Sequence, residues 1–189
     1  MDAQTLSGGF DNTTFQSAIA FRTIMNVMAR PGKIETLIGA APNNELSVAA
    51  GVLLLTLCDP ETPVYLAGKH DCAAVRDWLR FHTGSPLVDA RNATFAVGTW
   101  EALSPVTQYS VGTPQYPDRS TSLVVEMASL SASGAVLTGP GIEKEARLNL
   151  PAIKPFQLNA ALFPLGNDFF FTAGDQITAL ARTTKIGMS

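Results

Sequence analysis

The polar residues best placed to do chemistry are arginines with hydroxyls beside them, rather than nucleophiles or metal ligands. Arg182 stands before Thr183 and Thr184 where an apolar hairpin ends, and Arg80, His82 and Thr83 fall in the closing turn of a helix. Arg119 follows Tyr116, Pro117 and Asp118 in a long loop, and Arg22 is almost in line with Phe15 on a helix. A guanidinium fork suits phosphate, phosphonate or carboxylate. Each arginine also has a structural use. Arg119 and Arg182 can tie loop carbonyls or Asp118, cations in a last helical turn complement the helix dipole, and Arg22 can snorkel from the margin of an apolar face.

Other chemistries lack their equipment. Cys58, His70, Cys72 and His82 match no tetrahedral zinc spacing, and two cysteines are too few for an iron–sulfur cluster. Pyridoxal chemistry needs a lysine that can form a Schiff base. Lys33, Lys69, Lys144, Lys154 and Lys185 all sit in polar or turn-like surroundings that suit a solvated ammonium. Gly139-x-Gly141-x-x-Lys144 is a fragment of a dinucleotide fingerprint without its third glycine, and reads as a strand-ending turn. Walker A and G-x-S-x-G patterns are absent. The reading is therefore no bound cofactor, no metal and no complete active site within this chain.

With 189 residues the chain fits one domain, here taken as residues 1–189 with a flexible start over residues 1–11. Charged residues are 15 % and hydrophobic ones 46 %, a balance that leaves apolar surface for a partner to cover. The formal net charge of -3 argues against nucleic-acid binding. Two cysteines without a disulfide framework, no signal segment and no apolar run of the roughly 20 residues a bilayer requires point to a soluble, cytoplasmic protein.

The elements that must position these residues follow from periodicity. Asn12, Thr13 and Thr14 cap a helix to about Arg30, stopped by Pro31 and Gly32, with Phe15, Ala18, Phe21, Met25 and Met28 as its buried stripe. A second helix begins near Asn44 and Glu45 and is apolar all round, so it belongs in the core. Val64, Tyr65 and Leu66 form a short inner strand, Gly68 to Asp71 the loop beyond it. Asp71 caps a third helix that runs to Thr83 and stops at Gly84.

Residues 93–97 make another strand, and periodicity fades between Glu101 and Ser120. Residues 123–127 and 135–138 read as paired strands joined through Ser131 to Gly134. An aromatic run from Asp168 to Thr172, a turn at Gly174 and Asp175, and a return through Ile177, Ala179 and Ala181 form the terminal hairpin. Helices come early and strands late, with alternation between them: an α/β or α+β fold around a mixed sheet.

Six segments in register resemble the PhnH family of bacterial phosphonate metabolism. They are the stretch from Phe21 and Arg22 to Pro31 and Gly32, Leu53 to Val64, Arg80 to Leu87, Ala93 to Val97, Leu137 to Ile142, and Phe163 to Thr184. The resemblance implies an α/β fold, a three-layer mixed sheet flanked by helices, like a reduced pyridoxal-phosphate-dependent transferase without the cofactor. It implies a homodimer that joins PhnG, PhnI and PhnJ in the carbon–phosphorus lyase core complex. That complex forms a ribose 1-alkylphosphonate 5-triphosphate from ATP and an alkylphosphonate. The family offers no established active site, so Arg22, Arg80, His82, Thr83, Arg182, Thr183 and Thr184 carry over only as candidates for binding or assembly. Ala181 stands where the family pattern suggests proline, which would loosen the positioning of Arg182. Two roles follow: an architectural subunit, or a subunit that binds a phosphonate or nucleotide in a homodimer-interface pocket through Arg80, His82 and Arg182.

Overall fold

A computed structural model describes residues 7–42 and 45–187. Its centre is the terminal hairpin, β7 (Asp168–Ala173) and β8 (Gln176–Leu180), turned by Gly174 at φ 58°. A positive φ is open to glycine at no steric cost, so the Gly-Asp pair marks the reversal correctly. On the other side of β7 lie β4 (Ser122–Glu126), β3 (Phe95–Thr99) and β2 (Val64–Leu66), all parallel, while β1 (Glu35–Thr36) pairs antiparallel with β8.

Alternation along β7 divides the core in two. Phe170, with Val97, Val124, Ile177 and Ala179, packs against α1 (Thr13–Ala29), α2 (Val48–Leu57) and α3 (Ala73–Thr83). Phe169 and Phe171 face the opposite way, onto α4 (Trp100–Leu103), α5 (Lys154–Ala160) and a second antiparallel sheet. That sheet is built from β6 (Ala146–Leu148), β5 (Ala135–Thr138) and β9 (Lys185–Gly187). Phe156 of α5 meets Phe169 edge-on with ring centroids 4.9 Å apart. The molecule is thus a mixed sheet with flanking helices; α2 is buried along residues 49–54, as expected, but it starts at Val48 behind a Ser47 cap rather than near Glu45, and Asn44 lies outside the described residues.

Four other expectations need correction. The buried side of α1 is Ala20, Ile24 and Val27, whereas Phe15, Phe21 and Met25 are 65 %, 48 % and 50 % exposed. The helix is apolar on two sides, and the smaller side chains are the ones that let it settle against α2 and β8. Residues 122–126 and 135–138 do not pair: β4 lies between β3 and β7, and β5 belongs to the second sheet. β2 is an edge strand rather than an inner one, covered in part by a single bridge between Val64 and Leu87. Asp71 is not the cap of α3; Cys72 occupies that position, and Asp71 instead grips Arg76 at 2.5 and 2.7 Å.

The stretch between Glu101 and Ser120, where periodicity fades, holds most of α4 and two short 3-10 turns, Val106–Gln108 and Pro117–Arg119. At the start of the chain, residues 1–6 lie outside the described residues. Ser7 takes a hydrogen bond from the Trp78 indole at 3.0 Å, the Gly8 carbonyl one from Ala41 at 2.9 Å, and Phe10 packs on the helical side of the core.

Candidate functional site

The β7–β8 hairpin carries its two ends to one place, and there Asp168 and Arg182 meet. Asp168 Oδ1 accepts the Arg182 backbone N–H at 2.8 Å, and its carboxylate accepts Nε at 3.1–3.2 Å and a terminal guanidinium nitrogen at 2.5 Å. The remaining side of the guanidinium donates to the Pro117 carbonyl at 2.7 Å and the Ser120 hydroxyl at 2.6 Å. Only a planar fork can serve these partners together. Arg182 therefore fastens the 112–120 loop to the main sheet, and its backbone is held by Asp168 whether or not a proline precedes it. Thr184 closes the following turn by donating its N–H to the Ala181 carbonyl; its hydroxyl is buried and finds no partner among the described residues. Thr183 is half-buried in the same turn.

Arg119 lies over the Tyr116 ring, 4.1 Å from its centre, and borders a cleft of about 420 Å³ with Arg91, Ser110 and Asp118. Arg80 borders a different cleft of about 450 Å³ with Asp71, Arg76, Asp89 and Asn92. The neighbouring Arg76 guanidinium holds the Asp71 carboxyl below its usual range. His82 faces neither cleft. Its ring packs on Trp78 and Phe81 at 5.0 and 4.9 Å, under Gly9. Thr83 is buried and donates to the Leu79 carbonyl at 2.7 Å while bonding Ser85, which finishes α3. Arg22 projects from the outer side of α1. The chain thus brings Arg182 to the Arg119 loop, and keeps Arg22, Arg80, His82 and Thr83 apart from it and from one another's clefts.

Residues that follow the parallel strands form a further cleft, of about 400 Å³. His70 comes after β2, Thr99 ends β3 and Glu126 ends β4, with Ser47 at the start of α2. Glu126 accepts the Ser47 backbone N–H at 2.8 Å and the Thr172 hydroxyl at 3.2 Å. His70 is 1 % exposed, and its Nδ1 finds no hydrogen-bond partner among the described residues. Burial is the main cause that lowers its pKa, with Glu126 pulling it back up and Lys69 pushing it further down. A pattern search finds none of this, because the three strand ends are far apart in sequence. The signal available was positional: open α/β sheets place ligands beyond the carboxyl ends of their strands.

Cys58 is no nucleophile. Burial, with Asp59 beside it, pushes its thiol up to about 12, so the thiolate is not populated at neutral pH. Among the described residues no three His, Cys, Asp or Glu side chains gather as a metal site. No described helix is long and apolar enough to cross a membrane.

Among the described residues, two groups of exposed apolar side chains stand out. One is the outer face of α1, with Phe15, Ile19, Phe21 and Met25. The other is a groove of about 560 Å³ between α4 and α5, lined by Trp100, Pro105, Val106, Pro155, Leu158 and Leu162 among others.

The model for the bacterial phosphonate metabolism protein PhnH matches residues 8–187. The alpha-D-ribose 1-methylphosphonate 5-triphosphate synthase subunit PhnH of Rhizobium meliloti (strain 1021) is 37 % identical over 195 residues, 97 % of this chain and 96 % of that protein. HtxG of Stutzerimonas stutzeri, a proposed C-P lyase subunit, is 29 % identical over 176 residues, 89 % of this chain and 85 % of its own length.

Proposed function

This chain belongs to the PhnH family of bacterial phosphonate metabolism proteins, and we propose that it works as the PhnH-type subunit of a carbon–phosphorus lyase core complex. There it supports formation of a ribose 1-alkylphosphonate 5-triphosphate from ATP and an alkylphosphonate. The observation that carries this reading is the end-to-end likeness to the Rhizobium subunit, 97 % of one chain against 96 % of the other. A shared core alone would leave long stretches outside the match, and here only a few per cent of either chain falls outside it.

Its partners in this reading are PhnG-, PhnI- and PhnJ-type subunits and a second copy of itself. Support comes from the two apolar surfaces, since contiguous exposed apolar patches mark contact sites. The free thiols of Cys58 and Cys72 suit a reducing cytoplasm. A mixed sheet with helices on one side, and helices plus a small sheet on the other, is compatible with a reduced pyridoxal-dependent transferase architecture.

The test is co-expression of the tagged chain with PhnG, PhnI and PhnJ from one genome. A stoichiometric complex on gel filtration, lost when this chain is omitted or exchanged for an unrelated tagged protein, is the expected result. Elution of the chain apart from all three would overturn the assignment.

A further inference from the structure

The cleft at the carboxyl end of β2, β3 and β4 has the chemistry of a binding site, and its Glu126 carboxylate is fixed before any ligand arrives. Glu126 is pinned through both oxygens, by the Ser47 N–H and the Thr172 hydroxyl. A carboxylate has about four lone-pair sites, so each pinned oxygen can still accept a further hydrogen bond. Thr99 is its register partner on the adjacent strand, and the Thr99 hydroxyl oxygen already accepts the Ala102 N–H at 3.4 Å, leaving its proton to donate. His70, almost wholly buried, adds an imidazole whose Nδ1 lacks a partner among the described residues. Buried ring nitrogens are normally satisfied, and one that is not points to a missing partner. Lys69 is the cation at the exposed rim.

The occupant is not an anion bound at the start of α2. The Ser47 N–H is held by Glu126, the Ala49 N–H by the Gly174 carbonyl at 2.9 Å, and the Ala50 N–H by the Ser47 hydroxyl at 3.1 Å. A phosphate pushed into this end would face the Glu126 carboxylate with its best donors already engaged. Hydroxyls fit better, because they donate to a carboxylate and accept from an imidazole or a threonine. The volume of about 400 Å³ lies in the range of small-ligand clefts.

We propose that this cleft binds the hydroxyl-bearing ring of a small sugar, with Glu126 accepting from ring hydroxyls, Thr99 and His70 completing the contacts, and Lys69 at the mouth beside any phosphate the sugar carries. The choice of a pentose as probe rests on the function proposed above; the existence of the site does not.

Saturation-transfer NMR and calorimetry on the full-length chain test it with D-ribose, ribose 5-phosphate and inorganic phosphate. Both sugars should receive saturation on their ring protons, and ribose 5-phosphate should bind more tightly. Inorganic phosphate should leave bound ribose in place. Thr99→Val and His70→Gln should each weaken ribose binding about tenfold or more with an unchanged circular dichroism spectrum. Lys69→Ala, at the exposed rim and harmless to folding, should reduce the advantage of ribose 5-phosphate over ribose. Neither sugar binding, phosphate displacing ribose, or ribose bound undiminished by folded Thr99→Val would each overturn the inference. Partner capture, measured on the same preparations, reports on the subunit reading alone. A chain that holds ribose but no partner sinks that reading, and one that holds partners but no ribose sinks this one.

Discussion

Arg182 is surrounded by acceptors from two parts of the chain, Asp168 and the 112–120 loop, so its loss should be felt as stability before anything else. Asp168 would stay half-buried without its cation, and the 112–120 loop would lose two of its anchors. Hydrogen bonds to charged groups contribute about 1.5–3 kcal/mol, and Arg182→Ala is expected to cost about 2–3 kcal/mol by urea denaturation. Arg182→Lys keeps the charge but not the fork, and should recover less than half of that. Protease should also cut the 112–120 loop faster in both variants. An Arg182→Ala chain as stable as its parent would show that the knot is dispensable. His70 makes the complementary prediction about pH. Folding lowers its proton affinity from the ordinary value of 6.5, because burial and Lys69 outweigh the attraction of Glu126 and Glu45. The unfolded chain therefore takes up the proton first as pH falls. The His70 contribution is complete above pH 6.5 and is lost as pH drops through the folded value. Urea midpoints at about pH 7.5 and 5.5 should differ less in His70→Gln than in the parent. An equal slope in both would remove His70 from the account.

At the scale of elements, how legible a feature was depended on how local its cause is. The β7–β8 hairpin could be read because alternation and a Gly-Asp reversal are properties of neighbouring residues. Helix α2 could be read because an all-round apolar sequence has only one place to go. The inward face of α1 could not, since Phe15, Phe21 and Met25 are as apolar as Ile24 and Val27, and only contact with α2 and β8 separates them. The partners of β4 and β5 could not either, because pairing joins residues far apart in the chain. The same applies to the site: Arg119 and Arg182 stood out by type, whereas His70, Thr99 and Glu126 become neighbours only through strand order. Glycines give a direct test at this scale. A side chain at Gly141 would run into the Ala29 carbonyl that ends α1, in a backbone already at φ 81°. Gly174 shares a positive φ of 58° but has open space around it. Gly174→Ala should cost about 1 kcal/mol of turn strain, and Gly141→Ala on the order of 3 kcal/mol, since the close approach of two segments is lost as well. Equal thermal midpoints for the two variants would contradict the clash.

For the whole molecule the question is what covers the two apolar surfaces, which lie on opposite sides of the main sheet. Their shapes argue for different occupants. The outer face of α1 is convex, and a convex helix can pack against its own copy across a two-fold axis, each residue meeting its counterpart's neighbours. The groove between α4 and α5 is concave and has no matching ridge in its own lining, so it calls for a different surface, the heterologous case. Under the proposed function, the first becomes the homodimer contact and the second the seat of another core subunit. Met25→Glu should then shift the chain from dimer to monomer in analytical ultracentrifugation. Stability of the subunit should change by no more than about 0.5 kcal/mol, because Met25 is already half in water. Leu158→Glu should leave the dimer intact and abolish retention by the co-expressed subunits. Ile24→Ala serves as the control for α1, since removing a fully buried side chain should cost about 2–5 kcal/mol without any direct effect on the outer face. If Met25→Glu remains dimeric while Leu158→Glu dissociates, the two surfaces have been assigned the wrong way round. If neither variant changes any association, the apolar exterior is not where this protein meets its partners.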